Sequence, residues 1–150
     1  MEDYEINSST LAIVPLGEDI SKVYEEEAEY IISKSPNAII KENCEFYGSS
    51  YSGRCSGTKK LTGIKSKFPI IIEESRNIIF FPTSSVRSDN NTWIALNNIK
   101  EYKEDNLNST ITFKNNENLE LDISYYSLDN QICRAHMLNS KLYDKKVDKK

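Results

Sequence analysis

The sequence has little of what the commonest site chemistries require. Among imidazoles and thiols it offers one histidine, His136, and three cysteines, Cys44, Cys55 and Cys133. An odd number of cysteines without paired spacing argues against a disulfide framework. Cys133-x-x-His136 shares a helix face and, with the other two thiols, would complete a Cys3His zinc set. Structural zinc sites, however, usually draw on close Cys-x-x-Cys knuckles, and isolated cysteines are commonly small buried hydrophobes, so no metal and no cofactor is expected. Gly-x-Ser-x-Gly, HExxH, Walker and Rossmann glycine signatures are all absent, and no catalytic residues are assigned. Long apolar runs are missing too: Ile78-Ile79-Phe80-Phe81 falls far short of the ~20 residues of a membrane span. The start, with Glu2, Asp3 and Glu5, lacks the basic opening of a secretory signal, so a cytoplasmic location is expected. What remains, at 38% hydrophobic and 28% charged with five glycines and four prolines, has the composition of a soluble globular chain. Its 150 residues fit one domain with a real core.

The formal net charge of −4 is unevenly spread. Residues 1–30 carry nine acidic side chains against one lysine, leaving the remainder net basic. From Gly48 to Phe68 there are Arg54, Lys59, Lys60, Lys65 and Lys67 and no acid at all. The last ten residues add five lysines against two aspartates. Charge asymmetry of this kind points to nucleic-acid contact, although short charge runs are often only solvated faces.

Local patterns describe an α+β domain, mostly antiparallel sheet, with two helices inserted near residues 36–62 and a C-terminal amphipathic helix. Tyr4–Ile6 and Thr10–Val14 read as strands ended by Pro15-Leu16-Gly17. Asp19–Ile32 is ambiguous: Glu25-Glu26-Glu27 favours helix or loop, and Tyr30-Ile31-Ile32 fits a strand. Ser35-Pro36 is a strong helix start, followed by Ile39, Ile40, Asn43, Cys44 and Tyr47 at helical spacing, with Gly48 as a stop. A second helix runs from a Ser49 or Ser50 cap to Thr62, closed by Gly63. Its wheel places Tyr51, Thr58, Leu61 and Thr62 on one side, with Cys55 beside them and Arg54 at the edge. Lys59, Lys60, Ser52 and Ser56 lie opposite. Gly53 and Gly57 inside a helix cost about 1 kcal/mol each relative to alanine, so either another backbone approaches closely or the helix breaks. Ile70–Ile72 and Ile78–Phe81 form a hairpin ended by Pro82. A polar loop, Thr83–Thr92, carries Arg87. Trp93–Leu96, Ile99–Lys103, Thr110–Phe113 and Leu119–Ile123 are further strands, the last two joined at Asn115–Asn118. Ser127 then caps a helix whose Leu128, Ile132, Ala135, Leu138 and Leu142 share one face, with His136 at its boundary.

The string Cys44-Glu45-Phe46-Tyr47-Gly48-Ser49-Ser50-Tyr51-Ser52-Gly53-Arg54-Cys55-Ser56-Gly57-Thr58 resembles the signature of the ComK family of bacterial competence transcription factors. Further matches keep the same order. Tyr4–Asn7 with Ala12–Pro15 resembles the family's opening strands; Pro69–Ile72 through Phe81-Pro82-Thr83 and Trp93-Ile94 its central block; and Leu121–Tyr125 with Asn130, Gln131 and Arg134 its last strand and helix. The resemblance covers nearly the whole chain and implies a ComK-like domain over residues 1–143 with a lysine-rich tail at 144–150. It implies a transcriptional activator of DNA-uptake genes that recognises paired A/T-rich boxes in double-stranded DNA from the minor-groove side as a homo-oligomer. RNA polymerase and a proteolytic adaptor are the partners it adds, and the nucleoid the place of action; no membrane partner is expected. Two features depart from the family: the chain stops soon after the final helix, and Cys55-Ser56 alter the surroundings of Arg54.

Narrow A-tract minor grooves are strongly negative and attract inserted arginine, while distinguishing little beyond A·T from G·C. Arg54 and Arg87 are the candidates for insertion, with Asn90 and Asn91 as groove hydrogen-bonders beside Arg87. For Arg54 the alternative is a buried carboxylate partner inside the fold. Lys59, Lys60, Lys65 and Lys67 would neutralise phosphates. A different class of function stays open: the strand-rich block with a terminal helix also resembles pleckstrin-homology-like modules, which bind proteins or membranes. That reading leaves the Gly-Ser-Ser-Tyr-x-Gly-Arg segment without a purpose.

Overall fold

A computed structural model describes residues 2–85 and 90–148. Nine strands and three helices follow in the order β1 (Thr10–Gly17), β2 (Ile20–Glu25), β3 (Glu29–Ile32), α1 (Pro36–Phe46), α2 (Tyr51–Thr62), β4 (Ile70–Glu73), β5 (Ile78–Pro82), β6 (Trp93–Ala95), β7 (Ile99–Asp105), β8 (Asn108–Phe113), β9 (Asn118–Leu121) and α3 (Tyr125–Asp148), with a 3-10 turn at Leu96–Asn98. Six strands form one sheet in the order β3-β2-β1-β6-β5-β4, and β7-β8-β9 form a second. All pairings are antiparallel, which makes this the α+β architecture expected. Among the described residues no helix is long and apolar enough to cross a membrane.

The large sheet is covered on both faces. Alternate side chains of a strand point to opposite faces, so Ile70, Ile72 and Phe80 join Ile39, Ile40 and Cys44 of α1, with Tyr51 and Cys55 of α2 packed alongside. Ile71, Ile79 and Phe81 join the opposite core, built from Ile111, Phe113 and Leu121 of the small sheet and the apolar stripe of α3. Burial on both sides explains why Ile70–Ile72 of β4 and Ile78–Phe81 of β5 are unbroken apolar runs rather than alternating ones. Leu128, Ile132, Ala135, Leu138 and Leu142 are all buried, while His136 is exposed.

Several expectations are corrected. Tyr4–Ile6 is not a strand, because a side chain takes the place of a neighbouring strand. Asn43 on α1 accepts from the Ile6 amide at 2.8 Å and donates to the Tyr4 carbonyl at 2.9 Å, and the Tyr47 hydroxyl donates to the Ile6 carbonyl at 2.7 Å. Pro15 does not end β1, which continues to Gly17. Strand β6 pairs only with Ala12 and Ile13, so beyond them β1 has one neighbour and tolerates a proline. The ambiguous run resolves into β2 and β3, with Glu26 and Glu27 in the bend between them. Helix α3 begins earlier than Ser127: the Ser124 hydroxyl accepts the Ser127 amide at 3.1 Å. The helix continues to Asp148, and Lys146 near its end donates to the Glu74 carbonyl at 2.7 Å and to Asn77 Oδ1.

Glu73 closes the β4–β5 turn, accepting from the Ser75 and Arg76 amides at 3.1 and 2.8 Å, from the Ser75 hydroxyl and from Arg76 Nε. Partial burial pulls its pKa upward, but these bonds, the Ser75 hydroxyl foremost, outweigh it and hold the carboxyl down at about 2 against an ordinary 4.5. A folded value below the unfolded one contributes stability in full above pH 4.5 and loses it as pH falls towards 2. Glu73→Gln is therefore expected to lower Tm at neutral pH, with the two melting temperatures converging in acid. Thermal melts across that pH window check it.

Candidate nucleic-acid interface

Helix α2 owes its limits to local chemistry. The Ser50 side chain accepts from the Gly53 amide at 3.0 Å, and Gly63, at φ +79°, closes the helix with its amide on the Lys59 carbonyl. The helix is continuous through both internal glycines. Among the described residues no backbone outside the helix approaches them: a Cβ at Gly53 would meet the Ser50 hydroxyl at 3.0 Å, and one at Gly57 would have nothing within 4 Å.

The face inferred from the wheel is present. Thr58 is buried, its hydroxyl donating to the Pro69 carbonyl at 2.7 Å, with Tyr51, Cys55, Leu61 and Thr62 half-buried beside it. Ser52, Ser56, Lys59 and Lys60 are exposed on the other side. Lys65 and Lys67 are exposed in the segment that joins α2 to β4. None of these four lysines has a carboxylate partner among the described residues, where the ion pairs use Lys22, Lys34, Arg76 and Lys145. Unpaired, exposed ammonium groups on a helix and the loop after it are what phosphate neutralisation requires.

Arg54 sits on the inner flank of α2, half-buried. The carboxylate partner considered for it is not found among the described residues; its Nε is buried with no hydrogen-bond partner. Its charge is felt by Cys44 on α1, whose thiol is nonetheless pushed up to about 11, chiefly by burial. That thiol is a core group and stays protonated. Among the described residues no cluster of three or more metal-ligating side chains forms.

The other candidates separate. Arg87 lies outside the described residues. Asn90 is exposed, whereas Asn91 is buried and closes the base of its loop, its Oδ1 accepting from the Ser84 amide at 3.1 Å and its Nδ2 donating to the Ser84 carbonyl at 3.2 Å. An amide so occupied holds the loop rather than facing a groove.

Three further residues lie beside or beneath this surface. Lys41 on α1 places its ammonium 5.9 Å from the Tyr51 ring centroid, beside the first turn of α2. Gln131, buried on α3, donates to the Lys67 carbonyl at 3.1 Å and to the Pro82 carbonyl at 2.8 Å. Arg134 donates to the Ser66 carbonyl at 3.2 Å. One signal for Gln131 was in the sequence: three residues after Leu128 and next to Ile132, a glutamine falls on the apolar side of the helix and needs a polar partner there.

Charge is also divided in space. Strand β4, against which α2 packs, is one edge of the large sheet, and β3 is the other. Glu18, Asp19, Glu25, Glu26, Glu27 and Glu29 all lie on β2, β3 and their turns, towards that other edge. Six of the nine acids of the head are thus kept from the basic segment by the width of the sheet, while Asp3 and Glu5 lie beside Glu42 of α1.

The family model described as ComK protein matches residues 1–147. The competence transcription factor of Bacillus subtilis (strain 168) is 37% identical over 149 residues, covering 97% of this chain and 78% of that protein. No solved structure matches the chain. With its signature running from the end of α1 into α2 and the family match reaching into α3, the chain belongs to the ComK family.

Proposed function

We propose that this protein is a DNA-binding transcriptional activator of competence genes that recognises A/T-rich duplex from the minor-groove side as an oligomer, acting in the cytoplasm at the nucleoid. The observation that carries the reading is the acid-free stretch of α2 and the following loop, where Lys59, Lys60, Lys65 and Lys67 stand exposed and without carboxylate partners among the described residues. These lysines set affinity and its salt dependence. Arg54 is the candidate for the sequence preference: it is half-buried on the flank of α2 without a carboxylate partner among the described residues, and a narrow A/T minor groove attracts an arginine. The relative's printed name, a competence transcription factor, agrees with this role. RNA polymerase and a proteolytic adaptor complete the set of partners proposed. A pleckstrin-homology-like role gives the α2 surface nothing to do.

Binding to a duplex with two A/T tracts is expected to exceed binding to a G/C-rich duplex of equal length, with affinity falling steeply as salt rises from ~50 to ~200 mM. Titration of labelled duplexes by fluorescence anisotropy reads both quantities. Equal, weak binding to the two duplexes would overturn the proposal.

A further inference from the structure

Gln131 is 4% exposed, on the face of α3 turned to the core. Its Nε2 donates to two backbone carbonyls at opposite ends of the β4–β5 hairpin, Lys67 at 3.1 Å and Pro82 at 2.8 Å. Its Oε1 accepts from Arg134 Nη1 at 3.4 Å, and the same Nη1 donates to the Ser66 carbonyl at 3.2 Å. An apolar side chain at this position would fill the space without the desolvation cost of an amide. The glutamine is explained by what it ties together. Lys67 has a φ of +49°, a left-handed conformation that L side chains adopt at a cost, so the loop needs an outside hold to keep it. Gln131 supplies that hold from one side, and the Thr58 hydroxyl on the Pro69 carbonyl supplies it from the other.

We propose that Gln131, assisted by Arg134, is a positioning residue for DNA binding that acts through Lys65 and Lys67 by fixing their loop against α3 and the end of β5. The inference rests on the DNA-binding reading above. A loop already ordered before binding presents its ammonium groups without the entropy loss of arranging them on the phosphates. Nothing about Gln131 itself needs to touch DNA, since it is buried.

The test is a coupling measurement with the full chain and a labelled A/T-tract duplex. Gln131→Met keeps the bulk of the side chain and removes both donors; it is expected to weaken binding roughly tenfold. In a background carrying Lys65→Ala and Lys67→Asn, the same change is expected to have no further effect, because its effect runs through those lysines. Arg134→Ala, at a half-buried position, is expected to weaken binding about threefold and to be equally silent in that background. Should Gln131→Met fail to fold by circular dichroism, Arg134→Ala reads the same coupling. Equal losses in both backgrounds, or folded variants with unchanged affinity, overturn the inference while leaving DNA binding intact. A parent protein that does not bind the A/T duplex overturns the reading beneath it, and the inference with it.

Discussion

Replacing Lys59, Lys60 and Lys65 by alanine and Lys67 by asparagine is expected to weaken binding to an A/T-rich duplex roughly a thousandfold near physiological salt. Each lysine that neutralises a phosphate releases condensed counterions, lowering the log-log salt slope by about 0.9, so losing four flattens it by about 3.6. The ratio of A/T to G/C affinity is expected to change far less, because phosphate contacts position a protein without reading sequence. Asparagine is chosen at Lys67 because its φ of +49° strains alanine, whereas asparagine tolerates the left-handed region. All four side chains are exposed and unpaired among the described residues, so each change costs the fold at most about 0.5 kcal/mol. Anisotropy titrations at several salt concentrations, with thermal melts as control, decide the matter. A slope that stays steep would remove this surface from the interface.

The parts of the molecule legible in the sequence are those decided by neighbours along the chain. Ser35 accepting from the Ala38 amide, Pro36 at the first helical position, Ser50 at the cap of α2 and Gly63 at its end are local devices, and the two early helices sit where they point. The exposed pairing of Lys59 and Lys60 follows from helical period alone. So does the buried stripe of α3, since five apolar residues at that spacing have one way to be covered.

What could not be read depends on partners distant in sequence. Asn43 displaces a strand at Tyr4–Ile6 from nearly forty positions away, and no local pattern marks that arrangement. Whether Pro15 ends β1 depends on where β6 stops pairing. The depth of Arg54 depends on how α1 lies against α2, which a wheel drawn for one helix does not contain. Asn91 shows the same limit from the other side: its composition suits a groove contact, but the fold folds it onto Ser84. Gln131 lies between these extremes. Its wrong-sided polarity was visible, while the identity of its partners, Lys67 and Pro82, required the tertiary structure.

The chain's single tryptophan connects the stability of the fold to the placement of its interface. Trp93 is fully buried on β6, in the core beneath the two early helices. Its Nε1 donates to Asn37 Oδ1 on α1 at 2.8 Å, and its ring meets the Tyr51 ring of α2 edge-on at 6.3 Å and 86°. One side chain therefore holds both helices to the sheet. Trp93→Ala is expected to cost about 3–5 kcal/mol, a large share of the roughly 5–15 kcal/mol that domains of this kind possess. For a chain of this length that lowers Tm by roughly 10–15 °C. Trp93→Phe keeps an aromatic ring in the core and loses chiefly the bond to Asn37, at a cost of about 1–3 kcal/mol. The two variants separate fold from interface. With phenylalanine, Tyr51 keeps an aromatic partner and α2 its seat, so the salt slope of DNA binding is expected to match the parent in the folded temperature range. With alanine, the cavity opens directly under α2, and affinity is expected to fall even where circular dichroism still shows a folded chain. Melts followed at the helix band, beside anisotropy titrations of each variant, test both statements. Equal melting temperatures for the alanine variant and the parent would mean that Trp93 does not hold the helices in place.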